Sequence, residues 1–248
     1  MAKVALITGA GRGIGAATAV LAAKHGYDVC INYLKDAGQA DKVAMDCREQ
    51  GVLATAVKAD IASSRQVNDL FQRCDEELGS PTLVVNNAGT VGGLTTVEEL
   101  DDAVLHRTYE INVYGAFYCA RAAIQRMSKG NGGDGGVIIN ISSLASTLGS
   151  PGEYVHYAAS KGAIDAMTVG LAKEVGPLGI RVNAVQAGTV ATDIHTTLGN
   201  PDRPKKVAAM APLGRVATAQ DIAEAVLWLA SEKSSYATGS VLRVAGGL

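Results

Sequence analysis

Seven short apolar runs, separated by amphipathic stretches, constrain this chain more than any other feature of it. The runs are Val4–Ile7, Val29–Tyr33, Ala54–Lys58, Leu83–Val85, Val137–Ile141, Arg181–Val185 and Val241–Val244. Most are rich in Val and Ile and lack polar alternation, which is the pattern of parallel strands covered on both faces. The stretches between them carry helical spacing: Ala16–His25, Gly38–Gln50, Ser64–Leu78, Val97–Ser128 (long enough for two helices), Tyr154–Val175 and Ala219–Ala230. Gly26 and Gly51 stand where helices stop, and Ser63 or Ser64 where one starts. Strand–helix repetition of this kind predicts an α/β fold, a Rossmann-type doubly wound parallel seven-stranded sheet with helices on both faces. No break in composition divides the chain, so residues 1–248 are expected to form a single domain. Gly130–Gly136 reads as a flexible loop. The one long irregular segment is 186–213, which holds Pro201, Pro204 and Pro212 and is expected to be a lid.

Composition removes several classes of function. With 48% hydrophobic and 19% charged residues the chain is not disordered. A net charge of −2 leaves no footprint for nucleic acid, and 4% aromatics supply no stacking platform. No apolar stretch reaches the roughly 18 residues of a membrane span. The N-terminus runs straight into an apolar segment and a glycine turn rather than a signal-peptide layout, so a cytoplasmic protein is expected. Cys30, Cys47, Cys74 and Cys119 stand far apart, as buried thiols in a reducing compartment would. His25, His106, His156 and His195 have no metal-ligand spacing, and no metal is expected. Trp228 reads as core, and His156 is expected to point away from the face that Tyr157 presents.

Four motifs carry chemistry. Thr8-Gly9-Ala10-Gly11-Arg12-Gly13-Ile14-Gly15 follows the first strand and opens the first helix. Glycines there allow close approach of a phosphate, and the helix N-terminus offers free N–H groups. The spacing is neither G-x-G-x-x-G nor a P-loop. Tyr157 and Lys161 lie four apart on a predicted helix, hence on one face. A nearby ammonium favours a phenolate, and a tuned Tyr passes protons to and from a substrate oxygen. Ser142-Ser143 closes the fifth strand, at the end where open α/β sheets bind ligands. Asn86-Asn87-Ala88-Gly89 closes the fourth, with Asp60-Ile61 in the equivalent place after the third.

Taken in order, TGAGRGIG at 8–15, Asp60, NNAG at 86–89, Asn112 in INVYG, Ser143, Tyr157-x-x-x-Lys161 and TGSVLRVAGG at 238–247 resemble the classical short-chain dehydrogenase/reductase family over essentially the whole chain. The likeness is greatest to bacterial glucose and ribitol dehydrogenase-like members, with 3-oxoacyl-carrier-protein reductases as near relatives. The resemblance implies hydride transfer between a nicotinamide cofactor and a secondary alcohol or ketone. Tyr157 would be the acid–base catalyst, and Lys161 would lower its pKa and hold the nicotinamide ribose. Ser143 would polarise the carbonyl, and Asn112 would hold a water. Cofactor contacts would fall on Gly9, Arg12, Gly13, Ile14, Gly15, Asn32, Tyr33, Asp60, Ile61, Asn87, Ala88, Gly89, Gly188, Val190 and Thr192, besides Tyr157 and Lys161. His195 in the lid is a candidate substrate contact.

Three local departures carry expectations. Ser143 to Tyr157 spans one residue more than usual, with the extra residue placed in Gly149–His156. Ala187-Gly188 replaces Pro-Gly after the sixth strand, which should loosen the start of the lid. Tyr33 stands where NAD-preferring members carry an acid. With Arg12 in the glycine loop, and Asn32 and Lys35 nearby, NADP(H) is the expected cofactor, with NAD(H) as the alternative. Sugar or polyol dehydrogenation, 3-oxoacyl thioester reduction and a non-catalytic dinucleotide-binding redox sensor remain as other readings. The partners expected are a small carbonyl or alcohol substrate and copies of the chain itself in a homotetramer, with neither nucleic acid nor membrane.

Overall fold

The computed structural model describes residues 3–191 and 203–248. All seven apolar runs are strands: β1 (Val4–Ile7), β2 (Asp28–Tyr33), β3 (Ala54–Lys58), β4 (Leu83–Asn86), β5 (Gly136–Ser143), β6 (Ile180–Ala187) and β7 (Val241–Val244). They pair in parallel in one sheet of order β3-β2-β1-β4-β5-β6-β7. The order reverses between β1 and β4, and that reversal opens a crevice beyond the carboxyl ends of the strands.

β1 shows why the runs lack alternation. Ala5 and Ile7 face one core layer with Ala19, Ile222 and Val226, while Val4 and Leu6 face the other with Phe71, Met127 and Ile164. Each face of the sheet is covered by helices, so both side-chain directions are apolar, and a buried Ile or Leu contributes about 1.5–3 kcal/mol.

The helices are α1 (Gly13–Lys24), α2 (Ala37–Arg48), α3 (Ser64–Glu77), α4 (Asp102–Tyr109), α5 (Gly115–Met127), α6 (Ala145–Leu148), α7 (Val155–Val175), α8 (Arg203–Met210) and α9 (Ala219–Ala230). Side-chain caps set several starts. Asp36 accepts from the Gln39 N–H, Ser63 from Gln66 and Asp101 from Ala103, and Thr218 with Asp221 forms a capping box. The stretch from Val97 holds two helices, as expected, but the first begins only after the Asp101 cap. A π-helical turn, Glu110–Tyr114, joins α4 to α5.

Three expectations are corrected. α1 starts at Gly13, inside the glycine loop, rather than at Ala16. Segment 186–213 is not one irregular loop: Gln186 and Ala187 end β6, and α8 lies within it. Trp228 is not core; it is 46% exposed, because the buried side of α9 is taken by Ile222, Ala223 and Val226, and position 228 falls off that face.

Candidate active site

The glycine loop after β1 and the turn after β4 are built into each other. Thr8 Oγ1 accepts the N–H groups of Asn87 and Ala88, each at 3.0 Å. Asn87 Nδ2 donates to the carbonyls of Thr8 (2.8 Å) and Gly9 (3.1 Å). Gly9 has φ +61°, and a Cβ there would lie 2.8 Å from Ala88 Cα; a Cβ on Gly15 would lie 2.5 Å from Asn87 Nδ2. These glycines are therefore required by the loop's own packing. The N-terminus of α1 has no side-chain cap, since Arg12, at the cap position, is extended and exposed. The N–H groups of Gly13, Ile14 and Gly15 thus sit in an uncapped first turn, a donor set that fits a cofactor's pyrophosphate.

The neighbouring cofactor candidates divide. Asn32 is not free to reach a ligand: it is buried, its Oδ1 accepts the Gly9 N–H at 3.2 Å and its Nδ2 donates to the Ala59 carbonyl at 3.0 Å. It pins the glycine loop to β2 and β3, and the Ala10 N–H donates to its carbonyl at 2.8 Å. Asn87 spends its amide in the same way. Tyr33 is half-buried and Lys35 exposed. Asp60 caps Ala62 N–H through Oδ1 and meets Arg107 through Oδ2 at 2.8 Å. Arg107 is a partner that sequence reading missed, because it lies 47 residues away. Ile61 is buried against Gly115, where a Cβ would come within 2.6 Å of its Cδ1.

Ser143, Tyr157 and Lys161 come together beyond β5. Ser143 is the last residue of that strand, and its Oγ accepts the Ala145 N–H at 3.2 Å. Tyr157 stands in the first turn of α7, with the Ser143 side chain close enough to act on its phenol. Lys161, one turn on, is 5% exposed; its Nζ donates to the Ile141 carbonyl at 2.7 Å and lies 5.8 Å from the centroid of the Tyr157 ring. Ser142 is turned away, donating to the Lys161 carbonyl. In segment 149–156 Gly149, Ser150 and Gly152 all have positive φ, and α7 still presents Tyr157 to Ser143.

The electrostatics differ from expectation. Burial pushes the Tyr157 phenol up to about 12; the Ser143 hydroxyl pulls it down and Tyr154 pushes it further up. The Lys161 ammonium near the ring donates to the Ile141 carbonyl. Burial lowers Lys161 itself to about 8, against an upward pull from Asp165. At neutral pH the phenol is therefore protonated, the form that donates.

Asn112 sits in the π-helical turn with its amide engaged. Nδ2 donates to the Thr90 carbonyl (2.8 Å) and Ser160 Oγ (2.9 Å), and Oδ1 accepts the Thr90 N–H at 2.8 Å. Both amide hydrogens are spent, so the side chain is a brace between the β4 turn and α7 and not an open water donor. Tyr154 was also missed; it packs edge-on against Tyr157 at 5.6 Å, an i, i+3 neighbour that the helix period could have found. His156 points away from that pair, to the Val91 carbonyl at 2.9 Å.

The chain leaving β6 is tied to its neighbours despite the missing proline. Ala187 is in register with Ser143 and Val244, its carbonyl accepts the Leu144 N–H, and the Gly188 N–H donates to Val244 at 2.9 Å. A Cβ on Gly188 would lie 2.8 Å from Ala245 Cα. Val190 is buried and bridges to Ala217. Thr192 and His195 lie outside the described residues. Among the described residues no His, Cys, Asp and Glu side chains gather as a metal site, and no helix is long and apolar enough to cross a membrane.

Comparison with known proteins places this geometry. A family model described as "Enoyl-(Acyl carrier protein) reductase" matches residues 9–248. Among curated proteins, the uncharacterized oxidoreductase YgfF of Escherichia coli (strain K12) is 46% identical, with 98% of this chain and 99% of that protein covered. L-rhamnose 1-dehydrogenase (NAD(P)(+)) of Sphingomonas sp. (strain SKA58) is 35% identical over 99% of this chain and 96% of its own length. The 3-oxoacyl-(acyl-carrier-protein) reductase FabG of Staphylococcus aureus (strain Mu50) is 33% identical over 100% and 98%. Among solved structures, a blue fluorescent protein from a metagenomic library, in complex with NADPH, superposes with a TM-score of 0.90 at 34% identity, covering 99% of this chain and 97% of that one. A Serratia marcescens short-chain dehydrogenase/reductase mutant superposes equally well at 33% identity.

Proposed function

The chain belongs to the short-chain dehydrogenase/reductase family, an oxidoreductase acting on CH–OH groups, and from that premise we propose that it moves a hydride between NADP(H) and a secondary alcohol or ketone carbon. The observation that carries the proposal is the meeting of Ser143, Tyr157 and Lys161 beyond the carboxyl end of β5. When bound, the nicotinamide supplies or accepts the hydride. In the reducing direction Tyr157 gives its phenol proton to the substrate oxygen, while Ser143 and Tyr157 hydrogen-bond the charge developing there. Lys161, next to the Tyr157 ring, would hold the nicotinamide ribose, and Asn112 braces α7 against the β4 turn.

Gly9, Gly13, Ile14 and Gly15 at the uncapped start of α1 would hold the pyrophosphate, with Ala88 and Gly89 alongside. Asp60 and Ile61 would contact the adenine end, and Gly188 and Val190 the nicotinamide side. Arg12, exposed at the helix cap, is the group for a ribose 2′-phosphate, and the absence of an acid at position 33 favours NADP(H) over NAD(H). NADPH in the similarly folded blue fluorescent protein supports that choice. Residues 1–248 act as one domain. Four buried free thiols support a reducing, cytoplasmic location, and the family supports a homotetramer.

The substrate is a small carbonyl compound. A sugar or polyol and a 3-oxoacyl thioester are the two classes that the named relatives represent. The test is a panel of L-rhamnose and other sugars, small ketones and an acetoacetyl thioester, read by absorbance of the reduced nicotinamide. Turnover confined to one class assigns it; no turnover of any carbonyl or alcohol overturns the reading.

A further inference from the structure

Next to the catalytic lysine's helix, four elements meet in a polar cluster that the proposed reaction does not use. Asp165 lies one turn after Lys161 on α7. Its Oδ2 accepts from Ser146 Oγ at 2.6 Å and from Gln186 Nε2 at 3.4 Å. Gln186, buried in β6, also donates to Ser146 Oγ and Thr147 Oγ1, each at 2.9 Å. Its Oε1 accepts from Arg243 Nε of β7 at 2.9 Å, and Arg243 reaches Thr147 Oγ1 at 3.2 Å. Ser146 is also within 2.8 Å of the Ser143 carbonyl. The cluster therefore ties the turn that follows Ser143 to the helix that carries Tyr157 and Lys161.

The second oxygen of Asp165 is what needs explaining. Oδ1 is buried with no hydrogen-bond partner. Leaving a buried acceptor unmet is unfavourable, and more so for a charged one. A neutral side chain would make the Ser146 link at lower cost, so the link alone does not account for an acid. The 2.6 Å contact with Ser146 has the length of an O–H···O⁻ bond. Two cations lie close in the fold: Lys161, buried one turn earlier on the same helix, and Arg243, which reaches the carboxylate through Gln186. Around Lys161 the other groups are Tyr157 and Tyr154 of the same segment, the Ile141 carbonyl of β5, and Asn112 of the π-helical turn near Gly89. None of these is an acid.

We propose that Asp165, clamped by Ser146 and Gln186, is a positioning residue for the reaction: it is the counter-charge that keeps buried Lys161 an ammonium, while the same clamp fixes the turn after Ser143. The inference rests on the reading that Tyr157 and Lys161 carry the chemistry. The upward pull of Asp165 on Lys161, opposing burial, agrees with it.

Asp165→Asn separates the charge from the clamp, because an amide oxygen still accepts from Ser146. The decisive readout needs no turnover: the ¹³Cε resonance of Lys161 in lysine-labelled protein, assigned by its loss in Lys161→Met and followed against pH. The expected result is that Lys161 titrates lower in Asp165→Asn than in the parent by about half a unit or more, a threefold change in proton affinity. The alkaline limb of kcat for the best substrate of the panel moves the same way, KM stays within about twofold, and Asp165→Glu restores the parent titration. If Asp165→Asn does not fold, Asp165→Ser, uncharged and able to meet Ser146, carries the same comparison. An unchanged Lys161 titration in a folded, uncharged variant overturns the proposal and leaves Asp165 a structural pin. Full turnover in Tyr157→Phe would instead remove the catalytic reading beneath it, so the two failures are told apart.

Discussion

Gly15→Ala and Gly38→Ala are the same chemical change in two helices, and the structure gives them opposite signs. Neither glycine has positive φ. At Gly38, exposed in the first turn of α2, an added Cβ meets nothing closer than Asp36 Oδ1 at 3.7 Å. Alanine there should stabilise by roughly 0.5–1 kcal/mol, the usual penalty of glycine in a helix. At Gly15 the Cβ would lie 2.5 Å from Asn87 Nδ2, 2.7 Å from the Gly9 carbonyl oxygen and 2.8 Å from Ala10 Cα. Two of those atoms are backbone and cannot rotate away, so overpacking costs about 1–3 kcal/mol. Moving Asn87 also endangers its hydrogen bonds to Thr8 and Gly9, at about 1 kcal/mol each. After the gain in helix propensity the net loss is about 2–4 kcal/mol. For a chain of this size each kcal/mol moves Tm by roughly 2–4 °C. Differential scanning calorimetry should therefore show Gly15→Ala melting about 4–16 °C below the parent and Gly38→Ala at or above it. NADPH titration followed by fluorescence should show weakened binding in Gly15→Ala only. Equal melting temperatures for the two variants would refute the interlocking of the glycine loop with the β4 turn.

Three further outcomes follow from the same structure. Wild type should show higher kcat/KM with NADPH than with NADH, and Arg12→Ala should lose roughly 10–150-fold with NADPH alone, the worth of a charge-assisted bond of about 1.5–3 kcal/mol; equal use of both cofactors by the wild type contradicts the assignment of Arg12. Burial lowers Lys161 from 10.5 to about 8, so between those values the unfolded chain holds the extra proton and this group's contribution to stability rises with pH. Lys161→Met should accordingly be more stable than the parent at pH 7, by up to about 3 kcal/mol at about 1.4 kcal/mol per unit, with the gain fading towards pH 10.5; urea unfolding at the two pH values checks it, and a gain that grows with pH would contradict the burial argument. Light scattering at micromolar concentration should give a mass near four times the 25.4 kDa of the chain, and a monomer mass excludes the tetramer.

The strands were legible to within two residues because both faces of the sheet are covered, and continuous Val/Ile runs have no other comfortable place. β1, β3 and β7 match their runs residue for residue. Helix ends were less legible where glycine opens the first turn, as at Gly13, since propensity reads such residues as loop. The grouping of Ser143, Tyr157 and Lys161 was visible through order and spacing. Its electrostatics were not, because burial of Tyr157 and the tie of Lys161 to Ile141 are tertiary facts. Asn32 reads as a cofactor contact and Asn112 as the holder of a water, yet the amide of Asn32 closes onto backbone and that of Asn112 onto Thr90 and Ser160; sequence shows the donor and not its partner. The Asp60–Arg107 pair and the Asp165 cluster each join segments far apart in the chain, and no local period marks them.

The account stands on Tyr157 as the proton donor. Replacing it with Phe keeps the ring, its packing against Tyr154 and the Lys161 contact, and removes the hydroxyl that Ser143 acts on. General acid–base groups contribute about 10²–10⁴-fold. The direct measurement is kcat of Tyr157→Phe on the best substrate of the panel, with NADPH affinity measured on the same sample. The expected result is a kcat lowered by at least about 10²-fold with cofactor affinity within about threefold of the parent. A kcat within threefold of the parent, with affinity intact, would contradict the mechanism.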